Sequence, residues 1–92
     1  MKESITLEEI AGVLDLKSDE FKRLDRKKIL DENRIYVEML LEEYEKAPQD
    51  EITKQHAKQA IKNVALFGYD VSKFVMKYLT IEESEKNAIR KI

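Results

Sequence analysis

The chain has 92 residues, of which 42% are hydrophobic and 39% charged, with two glycines, one proline, no cysteine and a formal net charge of −2. That length bounds one domain, and the richness in Glu, Lys, Leu and Ile favours an all-α bundle over a sheet protein or a disordered tail. The missing cysteines exclude a disulfide framework and a thiolate metal site. No apolar run is long enough for a membrane span, and the opening residues lack the basic-then-apolar order of a signal peptide, so a cytoplasmic location is expected.

The stretch Ile5-Thr6-Leu7-Glu8-Glu9-Ile10 is a complete helix start. Thr6 can cap the free N–H groups, Glu9 can reach back to complete a capping box, and Ile5 and Ile10 are spaced for a hydrophobic staple. This helix is expected to run to about Asp15. Ser18 is then the expected N-cap of a second helix, with Asp19 and Glu20 at its positive end and Phe21, Leu24 and Lys28 continuing the helical period.

Residues 29–46 are the most apolar part of the chain. Leu30, Val37, Leu41 and Tyr44 fall on one stripe, Tyr36 and Leu40 lie beside it, and Ile35 and Met39 widen it further. A stripe wider than one core face needs suggests a central helix, or one shared with a second copy. Asp31 can cap a fresh start, which leaves open whether 19–46 is one helix or two.

Ala47-Pro48-Gln49-Asp50 marks a loop, because proline disfavours helix in the residue before it and Asp50 can cap the next helix. A helix over 51–67 is expected to bury most of Ile52, Ala57, Ala60, Ile61, Val64 and Phe67. Gly68 suits the left-handed position that ends a helix. Asp70 caps again, and Val71, Phe74, Val75, Tyr78 and Leu79 keep the helical period. Thr80-Ile81-Glu82-Glu83 repeats the capping chemistry of Thr6–Glu9 and predicts a last short helix with Ile81, Ala88, Ile89 and Ile92 inward and Arg90 and Lys91 at its negative end. The expectation is a single domain of five to six short helices.

Ile10, Ala11, Leu14, Leu16, Phe21 and Leu24 are spaced so that two helices can cross steeply, with the small Ala11 at the contact. On those residues the segment 7–26 resembles the helix-turn-helix of many bacterial and phage DNA-binding regulators, although Asp15 stands where that family's turn usually carries glycine. The resemblance implies a helical N-terminal corner whose Lys17, Ser18, Lys22, Arg23, Arg26 and Lys27 contact phosphate and groove. A homodimer is implied with it, since one short recognition helix touches few bases. A fainter echo lies at "NVALFGYDVSKFVMKYL", with Gly68 at the turn. There the second helix would expose Val75 and Met76 and offer only Lys73 and Lys77, a sticky face rather than a phosphate surface.

Charge is unevenly spread. Segment 17–28 holds six cations against three acids, whereas 31–51 holds eight acids against two cations. The acidic helix supports a competing reading, a protein-interaction module (adaptor, inhibitor or immunity-type) that presents this helix to a basic partner. Tyr36, Met39, Leu40 and Tyr44 are the candidate interface residues in either reading, since aromatics and Met favour interface cores. Catalysis is not expected. His56, the only histidine, has no nucleophile or orienting carboxylate at a telling spacing, and it is read as a boundary residue. Glu42, Glu43 and Glu45 point in different directions on a helix and make no carboxylate pair. No metal or other cofactor is implied.

Overall fold

The computed structural model describes residues 4–90, with side chains described over 4–86. Within them the chain forms five helices and no strand: α1 (Leu7–Leu14), α2 (Ser18–Phe21), α3 (Asp31–Lys46), α4 (Glu51–Leu66) and α5 (Ser72–Arg90). None of these helices is long and apolar enough to cross a membrane.

The start of α1 is built as its sequence requires. Thr6 Oγ1 accepts from the Glu9 N–H at 3.1 Å, Glu9 Oε1 accepts from the Thr6 N–H at 3.3 Å, and both staple residues, Ile5 and Ile10, are buried. The helix ends on Asp15 in the left-handed region, φ +54°. The Leu16 N–H reaches back to the Ala11 carbonyl at 2.9 Å, which satisfies a carbonyl that the helix end would otherwise leave open. Asp15 thus does what glycine does in the turn that the corner resembles.

The second helix departs from expectation. Ser18 is its first residue rather than its cap. Lys17 holds the cap position, and its N–H donates to Glu20 Oε1 at 3.0 Å. After one turn α2 stops at Phe21, so Leu24 and Lys28 do not extend it, and 19–46 is two helices. Residues 22–30 form a strap with no helix. Its middle pairs with the turn after α4: the Lys27 N–H donates to the Gly68 carbonyl at 3.1 Å and the Asp70 N–H to the Lys27 carbonyl at 2.8 Å, a parallel bridge between Lys27 and Tyr69. Two tertiary hydrogen bonds override a helical spacing here.

The core lies among α3, α4 and α5, with α1 packed across α4 and α5. From α3 it takes Val37, Leu41 and Tyr44; from α4, Ala57, Ala60, Ile61, Val64 and Ala65; from α5, Phe74, Val75, Tyr78 and Ile81. The rings of Tyr44 and Tyr78 meet with centroids 5.3 Å apart. Asp50 caps α4 by accepting from the Ile52 N–H, and Gly68, at φ +86°, ends it.

Several burial expectations are corrected. Leu30 lies just before the first turn of α3 and is exposed, as are Ile52 in the first turn of α4 and Phe67 just past its end. Val75 is fully buried, so the second echo has no sticky outer face at that position. Helix α5 runs unbroken through Thr80, whose hydroxyl donates back to the Met76 carbonyl at 2.9 Å instead of capping a new helix. The side chains of Ala88, Ile89 and Arg90, and Lys91 and Ile92 entirely, lie outside the described residues.

Candidate nucleic-acid interface

Beside Glu8 of α1 and an apolar wall of Ala11, Leu16 and Phe21, one shallow hollow in the α1–α2 corner is lined by Lys17, Ser18 and Lys22. All three are exposed, as are Arg23, Arg26 and Lys27 on the strap. Arg26 is nevertheless committed to the fold. Its guanidinium donates to the Ile5 carbonyl at 2.6 Å and to Ser72 Oγ at 2.7 Å, and it lies 3.9 Å from Asp70 Oδ1. Asp70 in turn accepts from the Ser72 N–H and hydroxyl. Burial pushes the Asp70 carboxyl up. The two Ser72 hydrogen bonds, with Arg26 and Lys73 nearby, outweigh it and hold the group below its ordinary value. Arg26 is a staple between the chain before α1 and the start of α5, so it is removed from the contact set.

Two of the acids that would sit badly near phosphate are fastened to α4. Asp15 pairs with Lys58, whose hydrogen bond and charge lower the Asp15 pKa, and Glu20 lies 3.7 Å from Lys62. Asp19 remains exposed. A wider pattern emerges from the ion pairs. Arg26, Arg34, Lys46, Lys54, Lys58 and Lys62 each have a carboxylate partner. Among the described residues, Lys17, Lys22, Arg23, Lys27 and Lys28 have none.

The strap also delivers cations that the sequence did not connect. Lys28 shares a groove of about 690 Å³ with Lys73 and Lys77 of α5, facing Glu38, Glu42 and Glu45 of α3. The joining element is the Lys27–Tyr69 bridge, which has no local sequence signature. No family model matches the chain, and neither a curated protein nor a solved structure does so.

Of the interface candidates on α3, Tyr36 and Met39 are exposed and Leu40 is half-buried. Tyr44 is 1% exposed against Tyr78 and belongs to the core, which corrects its expected place in an interface. His56 is exposed. Among the described residues, no group of three or more His, Asp or Glu is arranged to hold a metal ion.

Proposed function

We propose that the chain is a small helical DNA-binding regulator of bacterial or phage type that holds duplex DNA by its phosphates through Lys17, Lys22, Arg23, Lys27 and Lys28. One observation carries the reading: among the described residues the cations of 17–28 are exposed and, Arg26 excepted, without a carboxylate partner, as are Lys73 and Lys77 of α5, while Lys and Arg of α3 and α4 are bound to carboxylates. Ser18, in the same hollow as Lys17 and Lys22, adds a neutral donor for a phosphate oxygen. The single turn of α2 offers few side chains to base edges, so the contact is chiefly with the backbone and its affinity falls with salt. The acidic α3 repels duplex and so orients the molecule on it. A regulator of this kind works in the cytoplasm, and pairing of two copies would double its contacts.

The test is fluorescence anisotropy of a labelled random duplex at two salt concentrations. With five cations engaged, the log–log salt slope is expected to be at most roughly −4 to −5. Arg23→Ala and Lys27→Ala should each weaken binding and reduce that slope by about one. No binding at low salt, or binding unchanged in both variants, removes the reading.

A further inference from the structure

A separate surface, opposite the buried side of α3, carries its own signal. Ile35, Tyr36 and Met39 are 58%, 47% and 51% exposed, half of the exposed large hydrophobics among the described residues. Ile35 and Met39 are four apart and Tyr36 and Met39 three apart, so the three side chains adjoin on one face; Leu40, four from Tyr36, continues it to the edge of the core. An exposed apolar patch inside a polar surround marks a place of contact.

The surround that α3 itself provides is acidic at both ends and along one flank. Glu32 lies one turn before Ile35 and Tyr36, Glu43 one turn after Met39, and Asp31, Glu38 and Glu42 run along the flank. The two cations of the helix are already taken, Arg34 by Asp31 and Glu38, and Lys46 by Glu42. Glu32 and Glu43 have no ion-pair partner among the described residues.

We propose that this face docks an amphipathic helix of a different protein, one with apolar residues at i, i+3 or i+4, and i+7, and with Lys or Arg bordering that stripe. Helix-on-helix docking suits the shape, since the patch is one helix wide and runs along the i, i+3, i+4 rows. Charge decides the occupant. A second copy meeting this face symmetrically would set one acidic rim against another, and like charges across an interface cost affinity. The unbranched Met39 and the amphipathic ring of Tyr36 suit a partner that brings both apolar and cationic groups.

The probe is a fluorescently labelled designed helix with a leucine stripe flanked by lysines, paired with a control peptide carrying Glu in place of each Lys. Anisotropy is read against wild type, Ile35→Ser/Met39→Ser and Glu32→Lys/Glu43→Lys, with circular dichroism to confirm that the helices persist. All four positions are exposed, so the fold should survive. The lysine peptide is expected to bind wild type, the glutamate peptide about ten-fold or more weakly, and each double variant to lose about ten-fold or more for the lysine peptide. Failure of the lysine peptide to bind, or equal binding by the variants, overturns the proposal. A wild-type dimer in sedimentation that Ile35→Ser/Met39→Ser disperses also overturns it, by assigning the face to a second copy. Duplex binding by Ile35→Ser/Met39→Ser should stay at the wild-type level, which separates this proposal from the DNA reading.

Discussion

The guanidinium of Arg26 donates to the main-chain oxygen of Ile5 at 2.6 Å, across 21 positions of sequence. With its second bond, to Ser72, the side chain ties three separate stretches of chain at one point: the lead-in to α1, the strap, and the start of α5. It is one of six cations in a segment whose other five have no carboxylate partner among the described residues, and charge alone does not distinguish it.

Stability should make that distinction. Arg26→Ala is expected to cost roughly 1–3 kcal/mol, because it strips hydrogen bonds to a charged donor and leaves a part-buried carbonyl unpaired. Arg23→Ala and Lys27→Ala should stay within about 0.5 kcal/mol of wild type, as surface substitutions do. Urea unfolding of the three variants measures this, and an Arg26→Ala midpoint equal to that of Arg23→Ala would show that the staple adds nothing.

The end of α1 offers a pair of opposite effects. Gly12 sits inside the helix with nothing within 4 Å of where a Cβ would stand, so Gly12→Ala should stabilise by about 0.5–1 kcal/mol. Asp15 holds φ +54° and the ion pair to Lys58, and Asp15→Ala would lose that pair while putting a residue less tolerant of the left-handed region in its place. A net loss of stability is expected, opposite in sign to Gly12→Ala. Thermal unfolding reads both signs, and a gain from Asp15→Ala would contradict this account of the turn.

Tyr36 and Tyr44 lie on one helix and should answer differently to the same change. Tyr44→Ala opens a cavity against Tyr78 and is expected to cost about 3–5 kcal/mol. Tyr36→Ala removes an exposed ring and should stay within about 0.5 kcal/mol, its effect appearing only in partner binding. A large loss of stability in Tyr36→Ala would move that ring into the core.

Alkali should unfold the protein through the same cluster. Burial raises the Tyr44 phenol and pushes the Tyr78 phenol up to about 12, while the hydrogen bond to Glu82 raises Lys54. These groups lose their protons more readily once unfolded. Their contribution is whole below the ordinary tyrosine value of 10.0 and is lost as pH climbs towards about 12. On the acid side the signs reverse. Asp15 and Asp70 are lowered in the fold, so the stability they supply is present above 3.8 and fades as pH falls below it. Denaturant midpoints across pH, with phenolate absorbance for the alkaline limb, check both, and a midpoint flat from pH 10.0 to 12 would rule out the tyrosine contribution.

The features legible in the sequence were local. The capping box at Thr6, the loop around Pro48 and the left-handed Gly68 depend on neighbours within a few residues, and all three are built as read. The length of α2 was not legible. Phe21, Leu24 and Lys28 keep helical spacing, and what stops the helix is a partner 42 positions away from Lys27, at Tyr69. Thr80 misleads for the opposite reason, since a hydroxyl that can cap a helix can equally bond back within one. The surface divides in the same way. That 17–28 is basic is plain from composition, but which charges there and beside it are taken up depends on long-range pairs such as Arg26 with Asp70, Lys58 with Asp15 and Lys62 with Glu20, which no local spacing shows.

The bridge between Lys27 and Tyr69 also sets an order of assembly. The α3–α4 hairpin closes over a short loop at 47–50, a local contact of the kind that forms quickly. The strap has to wait, because its backbone partners at Gly68 and Asp70 take their places only when α4 has ended and the chain has turned. The strap half of the basic surface is therefore expected to be among the last parts of the molecule to be completed during folding. Held by few backbone bonds at the edge of the core, it should also be among the first to exchange its amide protons when the native state opens.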